Sequence, residues 1–234
     1  MRQAVVALAC LCFGTVAHAE DITDARFDAP TTRYAHGVLG DAIEHGALIV
    51  TLASGAKKRL VLPDHRVFED TEPRLFDVDQ DGDREVIVVE SDAQKGARLS
   101  IYDGSGLVAA NDFIGRSNRW LAPTGVGAAD LDGDGAIELA FVDRPHLAKT
   151  LRVYRWTGDS LSLVASLPGV TNHRIGERDI AGGIRDCGDG PEIIVADASW
   201  ARVLAVVFDG KSFRTKDLGQ HRGRSSFASA MACR

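Results

Sequence analysis

The chain has 234 residues, of which 45% are hydrophobic, and its 33 acidic and 27 basic side chains give a formal net charge of −6. This acidic balance argues against nucleic acid or an anionic membrane as a partner. The length suits one all-β domain, because 24 glycines, two methionines and many short Val, Ile and Leu runs favour β-structure.

The first 19 residues are typical of a secretory signal peptide. Residues 1–3 form a short positive region, residues 4–16 are apolar, and Ala17-His18-Ala19 is a cleavage site before Glu20. The apolar run is too short to span a bilayer, and no other stretch approaches the length needed. We therefore predict an exported protein, periplasmic or secreted, that is cleaved after Ala19 and has no membrane span.

Residues 77–85 and 130–138 both follow the pattern Asp-x-Asp-x-Asp-Gly-x-x-Glu. Carboxylates at positions 1, 3 and 5 of a tight loop converge on one point, and the glycine at position 6 permits the sharp turn of a calcium loop. Position 7 offers a backbone carbonyl, and the glutamate at position 9 closes the shell. Without a cation each loop would hold a net charge of about −4 in a small volume. We therefore predict two Ca²⁺ sites, with ligands from Asp77, Asp79, Asp81, Asp83 and Glu85 in the first loop and from Asp130, Asp132, Asp134, Ala136 and Glu138 in the second.

Two other interpretations of these loops are weaker. An EF-hand needs a bidentate glutamate at position 12 and a helix on each side. Here position 12 is Val88 or Phe141, and each loop leads into a short apolar run that is typical of a buried strand. Acidic turns without a metal are the second alternative, since Asp and Gly are common turn residues. Two copies in the same register favour the metal sites.

Two cysteines, Cys187 and Cys233, remain once the signal peptide is removed. In an oxidising compartment such a pair is most simply a disulfide, which would tie the C-terminus to the body of the fold. The alternative is two unpaired buried thiols.

A repeat of about 50 residues runs along the chain, close to the length of a four-stranded propeller blade. Its boundaries carry His65-Arg66, Asn118-Arg119, His173-Arg174 and His221-Arg222. The predicted units lie near residues 33–64, 65–117, 118–172 and 173–220, within a single domain at 20–234 that ends in a segment at 221–234. The loops of the first and fourth units, at residues 39–44 and 185–192, have lost most of the required carboxylates, and we predict no tight calcium binding at either.

These motifs resemble the FG-GAP/VCBS repeats, which are β-propeller blades of the integrin alpha head type and occur widely in secreted bacterial proteins. The resemblance rests on the two acidic loops and the strands that follow them, and it covers residues 33–220. It implies a β-propeller with its calcium loops on one face. The predicted fold is therefore all-β, a small β-propeller of about four blades, because four repeat units are visible in the sequence. An alternative is five blades, the last one closed by the two termini with an inner strand from 223–234 and an outer strand from 21–30. The Ala-rich run after Ser225 favours a short helix instead.

The repeated arginines Arg66, Arg119, Arg174 and Arg222 have two interpretations. A ring of guanidinium groups could hold an anionic ligand. Alternatively each arginine pairs with a nearby carboxylate or braces a blade junction, which is the commoner use of a repeated position.

Histidines 36, 45, 65, 146, 173 and 221 show no metal-ligand spacing, and no hydrolase, metalloprotease or phosphate-loop motif is present. The predicted function is therefore a secreted, calcium-binding, non-catalytic module that binds or scaffolds a protein or glycan partner. The alternative is a small hydrolase or lyase whose anionic substrate is held by the arginines, with His173 or His221 assisting.

Overall fold

The structure, a computed structural model, describes residues 20–158 and 160–234. The predicted signal peptide, residues 1–19, lies outside these residues. The described chain forms strands β1 to β17 and one helix, α1, and all strand pairs are antiparallel. The prediction of an all-β fold is confirmed.

The first sheet has eight strands in the order β1-β2-β4-β6-β7-β8, with β3 paired to β2 and β5 paired to β6. Its strands are β1 (Ile22–Thr31), β2 (Glu44–Leu52), β3 (Lys57–Val61), β4 (Arg66–Phe68), β5 (Arg74–Phe76), β6 (Glu85–Asp92), β7 (Gly96–Tyr102) and β8 (Leu107–Ala110).

The other two sheets follow in chain order. The four-stranded sheet has the order β12-β11-β10-β9, and the five-stranded sheet has the order β13-β15-β16-β17 with β14 paired to β15. Their strands are β9 (Leu121–Ala129), β10 (Glu138–Asp143), β11 (Thr150–Trp156), β12 (Leu161–Pro168), β13 (Val170–Thr171), β14 (Gly183–Asp186), β15 (Pro191–Asp197), β16 (Arg202–Phe208) and β17 (Phe213–Gln220). Each sheet is open, so the number of blades and the closure of a ring stay predictions.

The strands that follow the two acidic loops lie at the centre of the packing. Every residue of β6 and of β10 is buried, as expected for strands covered on both faces. Because side chains alternate across a strand, β6 packs Ile87 and Val89 against Leu139 and Phe141 of β10. Its other face contributes to a second apolar cluster, in which Val86 and Val88 meet Leu48 and Val50 of β2.

The same stacking continues to the next sheet. Ala140 and Val142 of β10 share an apolar cluster with Ile193 and Val195 of β15. Strands β6 and β10 therefore each contribute side chains to two apolar clusters. The acidic loop before each of them is attached to a strand that is packed on both faces.

The strand that precedes each loop is interrupted at a comparable place. Strands β4 and β5 both pair with β6, and β13 and β14 both pair with β15. Strand β9 stays continuous but shifts register opposite Leu139 and Phe141. The chain leaves the sheet at these interruptions, and buried polar residues such as Glu69 and Asn172 lie there.

The secondary structure of the two termini agrees only in part with the five-blade alternative. Residues 21–30 do contribute a strand, β1, which pairs with β2 along its length. Residues 223–234 provide no inner strand, because helix α1 (Arg224–Met231) occupies them. That part of the alternative is wrong, whereas the short helix predicted after Ser225 is confirmed. Its Phe227 and Ala230 pack into a cluster with Ile194 and Ala196 of β15.

The helix α1 is also fastened covalently. Cys187 and Cys233 form a disulfide with a Cα–Cα distance of 5.7 Å, as predicted, and Arg185 donates to the carbonyl of Ala230 in α1. In the part of the chain that the structure describes, no helix has the length and apolar character that crossing a bilayer would require.

Candidate metal centres

The first acidic loop is closed at both ends by the sheet. Phe76, the last residue of β5, pairs with Glu85, the first residue of β6, so residues 77–84 must turn within a short span. Glu85 is buried, and its Oε2 accepts a hydrogen bond of 2.9 Å from the backbone N–H of Val78. Gly82, at position 6, has φ +98°, a conformation that glycine adopts without strain.

Three carboxylates meet in this loop. Asp77, Asp79 and Glu85 each offer an oxygen atom within 4.8 Å of the others. Asp77 Oδ2 accepts from the N–H of Gly82 at 3.1 Å, but its Oδ1 is buried and has no hydrogen-bond partner among the described residues. A buried carboxylate oxygen without a partner is costly, and a hard cation with oxygen ligands would satisfy it.

The pKa shifts of the loop carboxylates also favour a bound cation. Burial raises the pKa of Glu85 to about 7, and repulsion from Asp79, Asp81 and Asp77 adds to this shift. The hydrogen bond from the backbone N–H of Val78 acts in the opposite direction and lowers the pKa. Burial also raises the pKa of Asp79, and the neighbouring Asp81 and Asp77 add to that shift. The carboxylates repel one another, so a bound divalent cation would favour their ionised form.

The second loop repeats this geometry. Asp130, Asp132 and Glu138 offer oxygen atoms within 4.8 Å of one another, and Glu138 Oε2 accepts from the N–H of Leu131 at 2.9 Å. Asp130 Oδ2 accepts from Gly135 at 3.0 Å, the same five-residue step that joins Asp77 to Gly82. The two loops are therefore structural copies as well as sequence copies.

Residues 77–141, which contain both loops, match the family model of the FG-GAP-like repeat. The chain carries an FG-GAP-like repeat. A comparison with curated proteins finds no significant match. An FG-GAP-like repeat indicates a β-structured binding or scaffold module, and the two acidic clusters of this repeat could hold a metal ion.

A guanidinium group distinguishes the second loop of the FG-GAP-like repeat from the first. Arg155 on β11 pairs across the sheet with Glu138, and its Nε donates to Glu138 Oε1 at 2.6 Å. Its other nitrogens lie 2.9 Å from Asp132 Oδ2 and 2.9 Å from Asp134 Oδ2. A fixed positive charge thus neutralises part of the acidic cluster. No comparable arginine is bonded to Glu85 in the described structure.

The fourth unit, which lies outside the family match, has an arginine at its own loop. Arg185 pairs with Glu192 on β15 and donates to Glu192 Oε2 at 2.6 Å. Asp186 accepts backbone hydrogen bonds from Gly188 and Gly190, and Cys187 is in the disulfide. That this loop binds no calcium tightly stays a prediction.

The first unit keeps only the final glutamate of the pattern. Glu44 begins β2 and is 2% exposed. Burial, followed by repulsion from Glu69, Asp41 and Asp70, raises its pKa to about 9. Glu44 is therefore protonated at neutral pH, and it belongs to neither of the acidic clusters found in the described residues.

The remaining predicted ligands lie on the loops without joining the tight clusters. Asp81 Oδ1 accepts from the N–H of Asp83 at 2.9 Å. In the second loop Asp134 Oδ1 accepts from the N–H of Ala136 at 2.9 Å. Their roles as ligands stay predictions.

The four repeated arginines have different partners. Arg66 lies 3.1 Å from Glu90 and 3.5 Å from Asp92, and Arg174 stacks on the ring of Trp200 at 4.3 Å. Arg119 and Arg222 line two different cavities. The structure does not bring the four into one of these cavities, so a common anion site stays a prediction without support from this geometry.

Sequence reasoning missed two features. Arg155 could have been noticed by aligning the strands after each loop, since Arg155 lies opposite Glu138 whereas the β6–β7 register ends with Val86 opposite Tyr102, before Glu85. The second feature is a cavity next to His36 and His146, which the sequence separates widely. No local signal identifies it.

Proposed function

We propose that the protein is an exported, calcium-stabilised binding or scaffold module without a catalytic role, and that its partner is a protein or a glycan. The observation that carries the proposal is the convergence of three carboxylate oxygens within 4.8 Å in each of two loops with the same fold. Oxygen ligands of this kind suit Ca²⁺. The match to an FG-GAP-like repeat supports the module character.

In the first site Asp77, Asp79 and Glu85 would hold the ion, and the buried Oδ1 of Asp77 would gain a partner. In the second site Asp130, Asp132 and Glu138 would hold it. The ion would supply charge neutralisation and would fix the turn into β6 or β10. Because these strands are completely buried, the ions would stabilise the central packing, and the partner would bind elsewhere on the surface.

We infer that the two sites differ in affinity. Arg155 already neutralises Asp132, Asp134 and Glu138, so a cation at the second loop must compete with, or lie beside, a fixed positive charge. A like charge within about 4 Å costs on the order of 1 kcal/mol even at high dielectric. The first loop would therefore bind calcium more tightly.

Export is supported by the disulfide and by the signal-like residues 1–19. Disulfides persist in oxidising compartments, and Cys187 and Cys233 are joined. The enzyme alternative gains no support from the arginines, because Arg66 and Arg174 are engaged with other side chains.

The test is calorimetric titration of the chelator-treated protein with CaCl₂, followed by thermal melting with calcium or with chelator. We expect two binding events of unequal affinity. We also expect stabilisation of about 2.7 kcal/mol per site at a hundredfold excess over Kd. No heat of binding together with an unchanged melting midpoint would refute the calcium proposal. An equal response to MgCl₂ would refute the assignment to Ca²⁺.

A further inference from the structure

A cavity of about 310 Å³ lies between the loops that precede β2, β9 and β14 and the turn that follows β10. It is lined by His36, Val38, Asn118, Arg119, Trp120, Arg144, His146, Leu147 and Ile175. This volume falls at the lower end of the range of small-molecule sites. The cavity shares no residue with either acidic loop.

The polar side of the cavity is cationic. None of the lining residues is acidic. Arg144 is held by Asp143 through two hydrogen bonds of 2.8 Å. Arg119 donates to the backbone carbonyl of Asn118 at 2.7 Å, and within the described residues it forms no ion pair with a carboxylate. Its guanidinium has further donors available for an anion.

The other side of the cavity is lined by apolar side chains. Trp120 and Val38 are buried at 2% exposure each and give the cavity a fixed apolar wall. Leu147 and Ile175 are 63% and 71% exposed. Both side chains line the same cavity, so they extend its apolar surface toward the solvent.

The cavity wall is held in place by buried hydrogen bonds. His36 Nδ1 lies 2.5 Å from Oε1 of the completely buried Glu69, and Ser91 donates to the other carboxylate oxygen. The indole N–H of Trp120 donates to the carbonyl of Glu69 at 2.6 Å. His36 and Trp120 are thus oriented by the same residue, as preorganised binding sites require.

A second chain of hydrogen bonds fixes His146. His173 Nε2 lies 2.8 Å from the carbonyl of Glu177, so it donates there, and its Nδ1 accepts from His146 Nε2 at 2.9 Å. His173 also packs edge-on against Trp120, with ring centroids 4.8 Å apart. His173 is neutral in this arrangement, because its Nε2 donates while its Nδ1 accepts, and the fixed positive charge of the lining comes from Arg119 and Arg144.

We propose that this cavity binds a small carboxylate with an apolar body. The carboxylate pairs with Arg119, whose planar guanidinium matches that group. The aromatic or aliphatic part lies against Trp120 and Val38, beneath Leu147 and Ile175.

The probes are two matched pairs, phenylacetate with phenylacetamide and hexanoate with hexanamide, titrated calorimetrically into the protein in saturating calcium. We expect saturable binding of at least one carboxylate and at least tenfold weaker binding of its amide, because a hydrogen bond between two charged groups is stronger than one to a neutral amide. Inorganic phosphate, which lacks an apolar body, serves as a third probe and is expected not to bind.

Two substitutions test the position of the ligand. Arg119→Gln is expected to weaken carboxylate binding about tenfold or more, whereas Arg116→Gln, an exposed arginine of the same loop outside the cavity, leaves it unchanged. Ile175→Asp is expected to abolish binding by adding an anion at the rim. The proposal is overturned if neither carboxylate binds, if amide or phosphate binds equally well, or if Arg119→Gln binds like the unaltered protein. None of these outcomes affects the calcium proposal, whose loops lie elsewhere.

Discussion

Arg155 lies directly opposite Glu138 across the β10–β11 pair, and its Nε donates to the buried Glu138 Oε1 at 2.6 Å. Glu85 occupies the same place in the preceding loop, but the β6–β7 register ends with Val86 opposite Tyr102. The next residue after Tyr102 is an aspartate, Asp103, which accepts hydrogen bonds within its own turn. Two loops with the same ligand pattern therefore differ in the charge that surrounds them.

Removing this arginine should change both stability and calcium binding. In the presence of chelator we expect Arg155→Gln to lower the free energy of unfolding by about 1–3 kcal/mol, since the buried Glu138 loses its charged donor. With calcium, the second binding event should become tighter. Arg152→Gln is a matched control, because Arg152 has the same 28% side-chain exposure and pairs with Asp143 instead. Tighter calcium binding in both variants would contradict this interpretation.

Single substitutions should separate the two sites. We expect Asp79→Asn to remove the tighter calorimetric event and Asp132→Asn to remove the weaker one, because each takes a charged oxygen from one cluster. Asp186→Ala, in the arginine-paired loop of the fourth unit, should leave both events intact. Loss of the same event in the first two variants would show that the loops are not independent sites.

The disulfide should stabilise the C-terminal helix. Cys187 and Cys233 are 46 residues apart, and the chain-entropy model gives about 4 kcal/mol for closing a loop of that length. The double variant Cys187→Ser, Cys233→Ser should therefore melt at a lower temperature, with early loss of the packing of Phe227. Peptide mapping without reductant should recover the two cysteines in one linked species, and separate peptides would refute the pairing.

Acid should weaken the fold through the buried histidine pair. Burial, followed by repulsion from His173, His36 and Lys149, lowers the pKa of His146 to about 4 from the ordinary value of 6.5. The unfolded chain thus binds a proton between these values that the folded chain does not. Stability from this group is present above pH 6.5 and is lost as the pH falls toward 4.

Other buried groups titrate as well, and the raised pKa of Glu44 gives a contribution of opposite sign, present at low pH and lost as the pH rises toward 9. The contribution of His146 is therefore measured as the difference in stability between the unaltered protein and a variant that lacks this histidine. Chemical unfolding of the unaltered protein and of His146→Gln, compared at several pH values from 7 to 4, should show a flatter profile for the variant. Parallel profiles would contradict the assignment.

Gly182 should tolerate no side chain. It has φ +79°, and a Cβ atom there would lie 1.9 Å from the carbonyl oxygen of Ile194. We expect Gly182→Ala to lose more than about 3 kcal/mol of stability or to prevent folding. Gly188→Ala is the matched control, since Gly188 has φ +104° with open space around it, and only about 1–2 kcal/mol of backbone strain is expected. Thermal melting compares the two, and equal losses would refute the steric explanation.

Local patterns predicted much of this molecule. The strands after the acidic loops were predictable because their runs of branched apolar residues suit burial on both faces, and β6 and β10 are indeed completely buried. The meeting of Asp77, Asp79 and Glu85 followed from their spacing, because a nine-residue loop with a glycine at position 6 leaves its carboxylates few other places to lie.

The arrangement of the strands in the sheets was harder to predict from the sequence. The sequence predicts residues 21–30 as a strand only within the five-blade alternative, yet β1 pairs with β2 over its whole length. The interruptions between β4 and β5 and between β13 and β14 gave no sequence signal, because the residues that leave the sheet are ordinary polar and turn residues.

The sequence by itself determined the composition of the two acidic loops, the strands that carry them and the disulfide partners, because each of these depends on residues close together in the chain or on simple elimination. Only the tertiary structure decided that Arg155 reaches the second loop and that His36, Trp120 and His146 surround one cavity. The first contact joins neighbouring strands of one unit and the second joins different units, and the geometry of both depends on how whole strands pack. The physical reason is that side-chain spacing specifies local loops, whereas burial and charge pairing across layers depend on the complete fold.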